Sequence, residues 1–114
     1  MKEKKIEIAG NSYKVEYAGT PFSQFLGMRG RKEGKMLFRF PSERRWRIDM
    51  AGVLTELHLY FMDSEGKVVD IQEARPWSLH PMSWGFERPE KPAKFLLESS
   101  TPLPITRGDE LEIK

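Results

Sequence analysis

Apolar and polar residues alternate with a period of two along most of this chain, which is the pattern of strands buried on one face. Ile6 and Ile8 begin it, and Tyr13, Val15 and Tyr17 continue it beyond Gly10-Asn11. Two such runs around residues that reach positive φ predict a tight hairpin. Thr20-Pro21 then reads as a helix start, with Phe22, Phe25 and Leu26 on one face, and Gly27 and Gly30 keeping it short. One helix is expected near residues 21–28. Residues 31–35 follow as an exposed connector. Met36, Phe38 and Phe40 alternate with Leu37 and Arg39, Pro41-Ser42 breaks the run, and Trp46, Ile48 and Met50 alternate again. Leu57, Leu59 and Phe61 lead into Asp63-Ser64-Glu65-Gly66, a strong turn signal, and Val69 and Ile71 continue beyond it.

Alternation fails from Arg75 to Pro92. Four prolines there exclude a regular helix and a central strand, yet the stretch is rich in large side chains. A connection of this length is either functional or packs over the fold as an Ω-like loop. Phe95 and Leu97 resume a strand, Pro102 and Pro104 hold an extended connector, and Leu111 and Ile113 form a last strand after the Gly108-Asp109 turn. Seven or eight short strands separated by turns predict a mainly β sandwich or barrel, mostly antiparallel.

Composition adds limits. A chain of 114 residues fits one domain over 1–114, able to bury about two-thirds of its unfolded surface. Seven Phe, three Trp and three Tyr argue against disorder. With no Cys, disulfides, thiolate metal sites and a Cys nucleophile are excluded. No apolar run approaches the ~18 residues of a membrane span, and the N-terminus goes straight into a strand pattern. A cytoplasmic location without a membrane partner is expected, and no motif calls for a cofactor. Charged residues make up 32%, a composition compatible with a thermophile.

Net charge is only +2, but it is unevenly placed. Arg29, Arg31, Lys32, Lys35, Arg39, Arg44, Arg45 and Arg47 face only Glu33 and Glu43 within residues 29–47. Such a cluster can meet phosphates, with Trp46 available to stack on a base or sugar. A solvated charged face accounts for the same residues without a ligand. Trp77, His80, Trp84 and Phe86, with Trp46, would suit a sugar platform, while core packing is their simpler role. For catalysis or metal binding the chain offers only His58 and His80, with Asp49, Glu56 and Asp70 as partners, and none has diagnostic spacing. Arg107-Gly108-Asp109 is explained by a turn.

Several of these stretches together resemble a known family, domain of unknown function 192. Its short helix ending in Gly-Leu-Met and a basic residue is similar to Phe25-Leu26-Gly27-Met28-Arg29. Its Gly-Met-Leu-Phe is answered by Lys35-Met36-Leu37-Phe38, and its Phe-x-Asp-x-x-Gly-x-Val hairpin by Phe61 to Val68. Ala93 to Glu98 and Gly108-Asp109 echo its late motifs, so the resemblance covers roughly residues 17 to 113. At its polar positions the chain departs, with Asp49, Ala51, Gly52 and His58 standing where the family has other residues. The resemblance implies a jelly-roll-like β fold and no established activity. The expected function is a small binding or accessory module for an anionic or carbohydrate ligand. Arg44, Arg45, Trp46, Arg47, Asp49, His58, Trp77, His80 and Trp84 are its candidate ligand-binding residues, and nucleic acid is a less favoured partner. The alternative is a small hydrolase-like enzyme using Asp49, His58 or His80.

Overall fold

A computed structural model of the chain describes residues 2–19, 33–49, 53–75 and 86–114. Strands β1 (Lys2–Ile8) and β2 (Asn11–Ala18) form the first hairpin. Its turn sits one position earlier than the sequence suggests. Ile8 pairs with Asn11, so the two turn residues are Ala9 and Gly10, at φ 51° and 78°. Both angles are left-handed, as a primed hairpin turn requires, and alanine bears a steric cost there that glycine does not.

The chain then crosses over, because β2 pairs in parallel with β3 (Lys35–Arg44), with Glu16 opposite Met36 and Ala18 opposite Phe38. Parallel neighbours need a long connection. The helix expected near residues 21–28 falls in that connection and lies outside the described residues. Strand β3 runs through Pro41 instead of ending there. Its pairing with β8 (Ala93–Ser99) shifts register between Arg39 and Arg44, so the proline sits where the ladder lapses and no N–H is needed. A short β4 (Ile48–Asp49) pairs with β7 (Phe86–Glu87), placing a two-stranded ribbon inside stretches where longer or no strands were expected.

Strands β5 (Leu57–Met62) and β6 (Val68–Ala74) form the hairpin read from the sequence. Asp63 holds its turn, with Oδ1 accepting the N–H groups of Glu65 and Lys67. With β8 (Ala93–Ser99) and β9 (Leu111–Ile113) the main sheet has seven strands in the order β6-β5-β8-β3-β2-β1-β9. Apart from the β2–β3 pair it is antiparallel. The sheet curls into a half-barrel, so the mainly β expectation holds.

Curling explains which residues are buried. All seven strands supply one apolar cluster, including Ile6, Val15, Leu37, Tyr60, Met62, Val68 and Leu97, and the sheet wraps around it. The opposite face carries a second cluster that includes Met36, Phe38, Phe40, Val53, Leu57, Leu59, Phe61 and Leu96, against which Trp46, Ile48 and Val69 pack. Strands β3, β5 and β8 are therefore apolar on both faces.

The two sheet edges meet at one end. Lys67 bridges to Glu110, Val68 N–H donates to Asp109 O at 2.8 Å, and Leu111 N–H donates to Gly66 O at 2.8 Å. Gly66 has φ 82°, and a Cβ there would lie 3.0 Å from Leu111 O. Replacing it with Ala should therefore cost about 1–3 kcal/mol, through strain and a parted edge. Ala9→Asn should instead add about 0.5–1 kcal/mol, because Asn tolerates the left-handed region. Urea unfolding midpoints at unchanged slope check both; equal stability of either variant and the parent would contradict the corresponding account.

Candidate functional site

The basic stretch of the sequence becomes the exit from β3. Ser42 to Trp46 folds back on itself, with Trp46 Nε1 donating to Ser42 O at 2.9 Å. The indole stacks on Phe40 at 5.2 Å and 25° between planes. The Arg44 guanidinium lies over the same indole, 5.6 Å from the centre of the Trp46 ring. Arg44, Arg45 and Arg47 are exposed and Trp46 is half-buried. Glu43, the nearest carboxylate in sequence, is turned away: its Oε2 accepts the N–H of Ser64 in the β5–β6 turn at 2.6 Å. Arg45 reaches across, its Nε donating to Pro89 O at 2.7 Å.

His58 sits elsewhere. On β5 it shares a face with Tyr60, the face wrapped by the sheet, whereas Trp46 packs on the opposite one. Its Nδ1 is 3.8 Å from Glu73 Oε1. The register aligns Glu73, His58, Ser99 and Lys35 in one row across β6, β5, β8 and β3. A carboxylate, an imidazole and a hydroxyl in that order invite a hydrolase reading. Ser99 argues against it, because it is fully buried and its Oγ donates to Thr101 O at 2.7 Å. Nearby, Tyr60 accepts the Leu103 N–H at 2.8 Å, and burial pushes its phenol above the usual 10.0. Asp49 contributes its backbone to β4, opposite Phe86. Trp77, His80 and Trp84 lie outside the described residues, as does the Asp49 side chain. The structure thus unites Arg44 and Trp46 and separates His58 from them. Among the described residues no group of three His, Asp or Glu side chains is arranged to hold a metal ion. None of their helices is long and apolar enough to cross a membrane.

Among the described residues Asp70, offered by the sequence only as a partner for catalysis or metal binding, accepts four hydrogen bonds. It is 2% exposed. One carboxylate oxygen accepts the Ile71 N–H at 2.9 Å and Arg107 Nη2 at 2.8 Å. The other accepts the Glu90 N–H at 3.0 Å and Gln72 Nε2 at 2.7 Å. Gln72 also donates to Arg88 O, and Arg107 Nη1 lies 3.2 Å from Glu90 Oε2. Residues 88–90 are thereby pinned to edge strand β6, and the turn before β9 is pinned to both. No local pattern in the sequence spoke for this role of Asp70, since two of its four partners lie 20 and 37 positions away.

Asp70→Ala should destabilise by about 2–4 kcal/mol, because two backbone N–H groups and a guanidinium lose their acceptor. Arg107→Ala should cost less, about 1 kcal/mol, since that side chain is 57% exposed and water can replace it on one side. Unfolding of both single variants and the double variant gives the coupling; additive losses would show that the pair does not act as a unit.

Comparison with known proteins bears on the family and the fold. The family model DUF192, described as an uncharacterized ACR, matches residues 4–113. A UPF0127 protein of Pyrococcus abyssi is 30% identical over 106 residues, covering 87% of this chain and 85% of that protein. Another, of Pyrococcus furiosus, is 30% identical over 105 residues, covering 86% and 84%. Among solved structures, a Sinorhizobium meliloti 1021 protein proposed as a transcription regulator superposes with TM-score 0.82 at 22% identity, over 98% of this chain and 94% of that one. A Novosphingobium aromaticivorans protein of unknown function gives TM-score 0.79 at 20% identity, over 96% and 84%. At such identities the two structures speak for the fold alone. With the family model spanning nearly the whole sequence, the chain belongs to the DUF192 family.

Proposed function

We infer that the chain is a small non-enzymatic binding module for an anionic ligand, held at the exit from β3. The observation that carries this reading is the cluster of Phe40, Trp46 and Arg44, in which an indole plane is fixed beside an exposed cation. An indole locked by stacking and by its N–H bond to Ser42 loses little freedom when a base or sugar ring packs on it. Arg44, Arg45 and Arg47 would neutralise phosphates or other acidic groups along the same strip. A cytoplasmic setting and heat tolerance go with the reading, the relatives from Pyrococcus being thermophilic archaea. The fold neighbour proposed as a transcription regulator is a reason to include DNA among the polyanions tested.

Binding of a fluorescent single-stranded oligonucleotide and of heparin should weaken steeply with salt. Replacing Arg44 and Arg47 together with Ala should lower the slope of log K against log salt by about two for an oligonucleotide, roughly one per cation lost. Trp46→Ala should weaken oligonucleotide binding at every salt concentration while leaving the slope nearly unchanged. Absent binding at low salt, or slopes that ignore the arginines, would refute the reading.

A further inference from the structure

A second basic region lies beyond the strip predicted from sequence, where the two sheet edges meet. A cleft of about 420 Å³ opens there between the β5–β6 turn, the segment before β8 and the turn before β9. Its volume falls within the range of small-molecule sites, about 300–1,000 Å³. Val68 and Val69 give it apolar wall, and Lys67, Lys91 and Arg107 bring a cation from each of the three segments.

Two features separate this cleft from a chance gathering of charge. First, Arg107 is fixed in place. Asp70 and Glu90 each engage one terminal nitrogen, at 2.8 and 3.2 Å. A guanidinium has five N–H bonds, so three remain for a ligand, on a fork already oriented by a buried carboxylate. Second, among the described residues neither Lys67 nor Lys91 has its ammonium engaged by a carboxylate. The acidic member of the lining, Asp63, spends Oδ1 on two turn N–H groups, which leaves Oδ2 as an acceptor for a hydroxyl and not for an anion.

We propose that this cleft binds a small hydroxylated phosphomonoester, with the phosphate on Lys67, Lys91 and Arg107 and a ligand hydroxyl on Asp63. Two ammonium groups match a phosphate of about two negative charges, and the guanidinium, its charge already met by Asp70 and Glu90, adds oriented N–H donors for the phosphate oxygens. A carboxylate beside them disfavours bare anions and selects for a ligand that carries a donor as well as a phosphate. This site is separate in its residues from the Arg44–Arg47 strip and does not rest on the function inferred for that strip.

The test follows backbone amide resonances of the full chain at about 0.15 M salt, where the Debye length is about 8 Å and distant charges are screened. Ribose 5-phosphate should produce saturable shifts at Lys67, Val69, Lys91 and Gly108, inorganic phosphate weaker ones, and ribose none. The exposed lysines tolerate change, so Lys67→Ala with Lys91→Ala should keep the parent melting temperature and lose at least tenfold in affinity. Arg44→Ala with Arg47→Ala should bind ribose 5-phosphate as the parent does. Shifts confined to the Arg44–Arg47 strip, unsaturable shifts, or undiminished affinity in the double-lysine variant would overturn the site. Inorganic phosphate binding as tightly as the ester would overturn the role given to Asp63.

Discussion

A carboxylate taken out of water must find partners for its lone pairs, and Asp70 finds four. Much of the described molecule is arranged by that requirement. Edge strand β6 supplies the carboxylate, the stretch after β7 supplies the Glu90 N–H, and the turn before β9 supplies Arg107. An edge strand is a liability because its unpaired backbone groups can recruit other chains. Here the Asp70 carboxylate takes the Ile71 N–H, and Gln72 holds Arg88 against the strand. The same carboxylate sets the angle at which the β9 turn approaches β6, where Gly66 and Leu111 close the half-barrel. Edge protection, closure and the orientation of Arg107 thus share one anchor.

Much of the architecture was legible in the sequence. Local turn chemistry gave the β5–β6 hairpin, because Asp63 and Gly66 satisfy and shape that turn with groups no more than four residues apart. The first hairpin was legible to within one residue. Gly10-Asn11 looked like its turn, but pairing Ile8 with Asn11 forces Ala9 into the left-handed position instead. The burial of both faces of β3, β5 and β8 was harder to see. Met36, Phe38 and Phe40 mark one face plainly, yet Leu37 is buried as deeply on the other because the sheet curls round it. Curvature is a property of seven strands together and leaves no period in any one of them. Pro41 misled for a related reason: it breaks an ideal strand, but here it occupies a lapse in pairing that only β8 defines.

The site was legible in part. Charge density marked Arg44, Arg45 and Arg47, and alternation correctly put His58 on the face away from Leu57 and Leu59. Arg107 was read as a turn residue, which it is, because its ion pairs span 37 and 17 positions and no local pattern encodes them. Lys67 and Lys91 are isolated in the sequence, each among residues of ordinary composition, and become neighbours of one cleft only when the sheet edges close.

The two basic regions are not mechanically independent, even though they share no residue. Glu43, next to Arg44, binds the turn that carries Asp63 and Lys67, and Arg45 holds the carbonyl of Pro89, two residues before Lys91. Both contacts run from the exit of β3 to the walls of the cleft. Charges on the strip act on the cleft through salt water, which screens them. Backbone contacts are not screened. A ligand that reorders residues 42–46 would therefore act on the cleft mainly by shifting the Ser64 and Pro89 attachments. The departures from the family pattern at Asp49 and His58 lie outside these attachments, so the chain can differ there while keeping the framework that joins β3, the β5–β6 turn and the segment before β8.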